Sequence, residues 1–380
     1  MPVPISARTL IHSFFIASAL AALPRPADRA TPRSGTFGGS VMAIAPMSIE
    51  RAAHTATTLP DGRVLIAGGF AVESRAGLSA ELFDPAAGRF SPLPRMVVPR
   101  HSHTATMLPN GKILIAGGYG SGSAIVSSAE LFDPATNTFV STGSMIARRA
   151  GHVAVLLSNG KVLLAGGVGP GWSFLASAEL YDPATGTFTR TGAMTVPRES
   201  HVAVLLQDGR ALVIGGHRDR RENIVLYTST ETYDAATGTF RRAADMTMRR
   251  HKHDAVLLRD GRVLVTGGSD ERDENGAYSS TEFFEPASGR FVVGPSMVHT
   301  RYKHQGTAVM LPNGNVLVAG GSARAELFDA RSQMFTTLDG DARLAGLFGA
   351  ASRFGTGNVL ITGGYGNGAG PRASAWVYRP

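Results

Sequence analysis

Apolar residues in this chain arrive in short bursts set off by glycine-rich or charged breaks, and the bursts follow a fixed order. A first strand, residues 54–59 (HTATTL), meets Asp61-Gly62. Asn/Asp-Gly tolerates positive φ at both central positions, so it predicts a two-residue type I′ hairpin. The second strand, 64–67 (VLIA), is apolar on both faces and should be buried on both. Gly68-Gly69 follows, then a loop of variable length. A third strand, 80–84 (AELFD), and a Pro-Ala-x-x-Gly turn lead into a fourth strand around Phe90.

This unit returns along the whole chain. Gly-Gly doublets start at Gly68, Gly117, Gly166, Gly215, Gly267, Gly320 and Gly363, the first four spaced by 49 residues and the rest by 52, 53 and 43. Four antiparallel strands repeated seven times at a period near fifty make an all-β, seven-bladed propeller, with the second strands next to its channel. The last unit stops after its third strand, at Ser374 to Pro380. The segment from Gly35-Thr36-Phe37 to Met47 matches Gly186-Thr187-Phe188 to Met194, so an N-terminal strand is expected to complete the C-terminal blade and remove the open edge. The doublets, the third strands Leu82-Phe83-Asp84 and Leu180-Tyr181-Asp182, and the later aromatics Phe90, Phe139, Phe188, Phe240, Phe291 and Phe335 resemble kelch repeats, with Phe where the family usually has Trp. Residues 35–380 are similar to bacterial kelch proteins related to the propeller domain of galactose oxidase.

Charge and composition narrow the function. The balance is +8, which favours acidic partners in general. No Lys/Arg run of five occurs and aromatics are not interleaved with basic residues, so nucleic acid is not expected. The absence of cysteine excludes disulfides, thiolate metal sites and cysteine nucleophiles. The resemblance to galactose oxidase implies a copper-radical activity that needs a Tyr–Cys crosslink, and this chain cannot form one. Residues 1–23 carry an apolar run (10–23) too short to span a bilayer, with small residues at Ala17, Ala19, Ala21 and Ala22. They are expected to be a signal peptide, with 24–34 a flexible leader and the protein secreted or periplasmic; a cytoplasmic location is the alternative. No stable membrane insertion is expected.

Two features compete for the functional site. Arg-x-x-His recurs at Arg51/His54, Arg100/His103, Arg149/His152, Arg198/His201, Arg250/His253 and Arg301/His304. Arg100, Arg149 and Arg198 would form a basic collar for an acidic ligand at the channel mouth, as in kelch adaptors. A parallel series of third-strand glutamates (Glu81, Glu130, Glu179, Glu231, Glu282, Glu326) offers each arginine a structural partner instead. In the seventh unit Trp376, Gly346 and Gly349 replace Glu, Arg and His together, which points to pairing within a blade. Blade six carries its motif two residues early relative to its turn, so a bulge is expected there.

The asymmetric features are the second-to-third loops, which share one side of the propeller with the blade-to-blade connections. Trp172 and Phe174 in the third unit could stack on a sugar or anchor a partner. Arg220 and Arg221 lie in the fourth-unit loop, and residues 270–275 of the fifth are a charged loop without a calcium-loop spacing. The expected function is therefore recognition of a protein or glycan ligand, with no catalytic residues, cofactor or metal assigned. A kelch-type sugar epimerase or mutarotase is the alternative, marked by acid–base groups converging at the mouth.

Overall fold

The computed structural model describes residues 38–71, 76–340, 344, 346–366 and 370–380. Residues 1–23 and 24–34, expected to be a signal peptide and a leader, and Gly35-Thr36-Phe37 lie outside them. Six four-stranded antiparallel sheets and one five-stranded sheet form the blades. Their first strands, among them Thr55–Thr58, Thr104–Met107 and Val153–Leu156, neighbour one another in sequence order, and Ala350–Phe354 returns to Thr55–Thr58. Seven blades thus close around a channel.

First strands line that channel, and the second strands stand one layer out rather than beside it. The double-sided burial of the second strands has a simple cause. Leu65 and Ala67 pack into the cluster shared with Ile113, Ile115 and Phe132 of the next blade, while Val64 and Ile66 pack with Leu360 and Val377 of the previous one. Each second strand therefore feeds two inter-blade cores. The third and fourth strands add an aromatic pair at one register: Phe83↔Phe90, Tyr181↔Phe188 and Tyr233↔Phe240, with centroids 4.8–5.1 Å apart.

The Asp/Asn-Gly turns differ from the type I′ expectation. Only the glycine has positive φ (Gly62 +86°, Gly111 +80°), and Leu59 both accepts from Gly62 N–H and donates to Arg63 O. This is a three-residue loop with a glycine bulge, and the preceding Asp or Asn side chain accepts the N–H two residues on (Asp61 Oδ1 from Arg63, 3.0 Å). That bond keeps the Asp in ordinary backbone space.

Ser40–Ile44 pairs antiparallel with Ala375–Arg379 across five residues and parallel with Asp339–Gly340 of blade six. The register is set by Met47, buried like its counterpart Met194. Gly39 therefore matches Gly186, four residues later than the sequence pattern placed it, and Val41 takes the place of Phe188, opposite Tyr378.

Blade six contains the expected irregularity. His304-Gln305-Gly306-Thr307 makes a turn, and the buried Asp254 of blade five accepts the N–H groups of Thr307 and Ala308, each at 2.8 Å. Among the described residues no helix is long and apolar enough to cross a membrane.

Candidate functional site

The Arg-x-x-His series is internal wiring. Arg149 is fully buried; Nη1 donates to the Gly166 and Ser177 carbonyls and Nη2 to Glu179 Oε1 at 2.8 Å. Glu179 in turn accepts the N–H groups of Ile146 and Ala147. The same pair recurs within each blade at Arg51–Glu81, Arg100–Glu130, Arg198–Glu231, Arg250–Glu282 and Arg301–Glu326, all at 2.7–2.9 Å. Arg100, Arg149 and Arg198 thus face glutamates inside their own blades, and the collar role drawn from the sequence has no guanidinium at the mouth to rest on.

The histidines reach the other way. His103 Nε2 lies 3.2 Å from Thr55 Oγ1 of the preceding blade, and its ring packs where a side chain on Gly68 would project. Burial is the main force holding His54, His201 and His304 down to about 3, with Arg51, Arg198 and Arg301 adding to it, so the rings stay neutral. Arginine ties a blade to itself; histidine ties it to its neighbour.

What varies is the pair of residues between the Arg and the His. The first of the pair bridges to the residue after the Gly-Gly doublet: Ala52↔Phe70, His101↔Tyr119, Ala150↔Val168, Glu199↔His217, His251↔Ser269 and Leu347↔Tyr365. The second (Ala53, Ser102, Gly151, Ser200, Lys252, Lys303, Phe348) has φ between +51° and +60° in all seven blades. Six backbone bonds link these residues around the channel, for example Ser102 N–H to Ala53 O and Lys303 N–H to Lys252 O. Left-handed backbone at a residue other than glycine costs roughly 1–3 kcal/mol, and such strain gathers at ligand sites.

Over blades three to six this frame assembles a polar pocket of about 1090 Å³, lined by Trp172, Phe174, Arg220 and Arg221 together with Glu199, His217, His251, Lys252, Asp273 and Lys303. Four of the seven residues singled out in the sequence therefore meet here. Trp172 sits on a 3₁₀ turn, half exposed, with the Arg220 guanidinium 3.7 Å above its ring. Arg220 also donates to Glu199 Oε2 at 2.9 Å. His217 Nε2 lies 3.7 Å from that carboxylate, and His217 Nδ1 lies 3.1 Å from His251 Nδ1. His251 Nε2 faces Asp273 Oδ1 at 3.4 Å, and Lys252 Nζ reaches the same oxygen at 2.5 Å. Ser269, the small residue after the blade-five doublet, leaves room for the two rings to meet.

Electrostatics separates these groups. Burial pushes the Glu199 carboxyl up, against the pull of Arg220 and Lys252. Burial first, then His251, Lys252 and Arg220, drives His217 down to about 2. Asp273 is partly desolvated, yet hydrogen bonds from His251 and Lys252 hold it well below the usual carboxylate range. A second cavity of about 510 Å³ runs down the channel and shares Glu199, Ser200 and Phe348 with the first. Glu199 stands at the junction of the two.

Glu199, His251, Lys252 and Asp273 were missed in the sequence, although a signal existed. Between the invariant ends, Arg-Glu-Ser-His (198–201) and Arg-His-Lys-His (250–253) depart from Arg-Ala-Ala-His (51–54) and Arg-Ala-Gly-His (149–152). Residues 270–275 looked like a solvated loop; instead Asp270 accepts from Arg272 within the loop and Asp273 turns toward the pocket.

Residues 100–146 and 149–195 each match the Kelch motif. The solved structure of YjhT superposes with a TM-score of 0.61 at 15% identity, over 78% of this chain and 99% of that one. A fungal alcohol oxidase of the AA5 family, solved with copper, gives 0.57 at 17% identity over 86% of this chain. The match spans 62% of the oxidase's length. No curated protein matches in sequence. No group of three or more His, Asp or Glu among the described residues has metal-holding geometry, and the sequence has no cysteine from which a Tyr–Cys crosslink could form. With kelch motifs in its second and third units and seven radially packed sheets, the chain is a kelch-repeat β-propeller resembling the propeller of galactose-oxidase-like proteins.

Proposed function

We propose that this propeller is a recognition protein that holds a sugar ring at the mouth of its channel, on the side carrying the variable loops. The observation that carries this reading is the lining of the mouth. Aromatic rings (Trp172, Phe174, Phe348) alternate with charged donors and acceptors (Glu199, Arg220, Lys252, Asp273, Lys303) around one pocket. A pyranose presents apolar C–H faces and hydroxyl edges, and such a wall complements both. The scaffold beneath is rigid because each blade is pinned to itself and to its neighbours. Export belongs to this proposal, supported by the apolar run at residues 10–23, and N-terminal sequencing of protein recovered outside the cytoplasm tests it.

A glycan array followed by calorimetry on the best hit tests the binding reading. Trp172→Ala should weaken binding at least ~10-fold, the loss of an anchoring aromatic. Unchanged binding would remove the sugar from the pocket.

One observation favours a second reading, a carbohydrate-active enzyme of the epimerase or mutarotase type. Glu199, His217, His251 and Asp273 stand in a row beside open space, each 3.1–3.7 Å from the next. Exchange NMR on reducing sugars separates the two: an enzyme speeds anomer exchange at trace concentration, while a binder only broadens lines in proportion to occupancy.

A further inference from the structure

Glu199, His217, His251 and Asp273 form a chain with three contacts: carboxylate to imidazole, Nδ1 to Nδ1, and imidazole to carboxylate. Each contact needs one proton to be attractive, and two neutral imidazoles supply two. The chain is one proton short, and it borders Arg220, which Glu199 holds over Trp172.

We infer that Glu199, Arg220 and Trp172 form a proton-operated latch across the mouth of the channel, closed when Glu199 is charged and released when it takes up the missing proton. The inference goes beyond sugar recognition and holds for any ligand of the pocket.

Geometry selects Glu199 as the acceptor. It is buried, its Oε2 faces both Arg220 and His217 Nε2, and its carboxylate lies against Gly151, where a side chain on that residue would meet Oε1 at 2.8 Å. Lys252 from blade five and Tyr119 from blade two are the other groups that sense its charge. The competing sites take a proton less readily. Both imidazoles are lowered by burial, and Asp273 is stabilised as an anion by His251 and Lys252. The proton therefore comes to rest on Glu199, which then donates to His217 Nε2 and completes the chain. No bond other than O–H forms, and the proton comes from solvent.

Arg220 loses its anionic partner in this step. A charge-assisted bond is roughly twice as strong as a neutral one, and a side chain as open to solvent as Arg220 then moves into water. The ring face of Trp172 is uncovered as it leaves.

Tryptophan emission reads the latch without a ligand, because the second tryptophan, Trp376, is buried in the blade-seven core. The scan runs downward from about pH 8 over the range in which far-UV circular dichroism shows the sheets intact. The expected result is one sigmoidal change in the wild type. It should vanish in Trp172→Phe and in Glu199→Gln, while Arg220→Gln should show the acid emission already at the alkaline end. A transition that persists in Glu199→Gln, a flat wild-type profile, or an Arg220→Gln protein that retains the alkaline emission and the transition would each overturn the latch. Sugar binding plays no part in these readings, so the latch and the proposed function can fail separately.

Discussion

At the scale of single residues, the buried Arg–Glu pairs show why a motif repeated six times need not be a site. Arg149 does more than neutralise Glu179; it also closes the Gly166 carbonyl that the Gly-Gly turn leaves open and shares the Ser177 carbonyl with the Gly166 N–H. Arg149→Ala should destabilise the protein by roughly 3–5 kcal/mol in urea titrations, the usual cost of stranding one member of a buried pair. Replacing both members with apolar residues (Arg149→Met with Glu179→Leu) should recover little. The Gly166 carbonyl and the N–H groups of Ile146 and Ala147 would stay without partners, and the Ser177 carbonyl would keep only the Gly166 N–H. Blade seven manages the apolar solution only because Trp376, Gly346 and Gly349 changed as a set. Asp254 is the converse case, a carboxylate serving one irregularity. Asp254→Ala should cost about 2 kcal/mol in the same titration, because it takes the carboxylate from the Ala308 N–H and leaves the Thr307 N–H only its bond to the His304 carbonyl.

At the scale of the strand and turn, glycines that share one sign of φ have different tasks. Gly62 at +86° closes a surface turn with nothing near its missing side chain, whereas Gly117 at +64° would put a Cβ 2.5 Å from the Arg149 carbonyl and 2.8 Å from the His152 ring. Gly62→Ala should cost about 1 kcal/mol, the strain of left-handed backbone alone. Gly117→Ala should cost several times more, since two blades must move apart. A comparison of thermal melts for the two variants checks this. Gly320 confirms the logic from within the chain: it precedes the blade whose histidine is replaced by Gly349, and it alone of the seven doublet leaders has no positive φ.

Elements of this kind were legible in the sequence because each strand carries its own burial pattern and each turn its own glycine. The hairpin type was misjudged at Asp61-Gly62, where a side-chain bond to Arg63 rather than the dipeptide decides the geometry. The closing strand slipped by four residues because Gly35-Thr36-Phe37 and Gly39-Ser40-Val41 both resemble its repeat, and only Met47 fixes the register. Trp172, Phe174, Arg220 and Arg221 stood out as rare residues on long loops. Glu199 and Asp273 did not: Glu199 shows only as a departure from the small pair of its motif, and both meet partners more than twenty residues away along the chain, Arg220 for Glu199 and His251 and Lys252 for Asp273.

At the scale of the whole molecule, closure and pH are the two levers. Ser40–Ile44 is held by Ala375–Arg379 on one edge and Asp339–Gly340 on the other. A chain starting at residue 45 should melt at lower temperature and aggregate at concentrations that the full chain tolerates, because the third strand of blade seven becomes an open edge. Light scattering during a melt checks both. Acid should act through the histidines. His54, His201 and His304 stay neutral down to about 3 when folded but bind protons below about 6.5 when unfolded. Stability is therefore fully present above about pH 6.5 and is lost as pH falls toward 3. Asp254 opposes this: burial pushes it up to about 6, so its contribution favours the acid side and fades as pH rises from about 4 to 6. Two carboxyls, Asp254 and Glu199, against several rings cannot reverse the trend, and midpoints of urea denaturation should fall between about pH 7 and pH 5.

The seven left-handed residues around the channel have one further consequence. Six of the seven neighbouring pairs are joined through main-chain hydrogen bonds, so the ring does not depend on which side chains they bear, as Ala53, Ser102, Gly151, Lys252 and Phe348 already demonstrate. Chemistry at the rim can thus be exchanged position by position, like beads on a fixed wire, while the loop of amides that carries it stays intact. A propeller of this type can acquire a new specificity without first having to relearn how to fold.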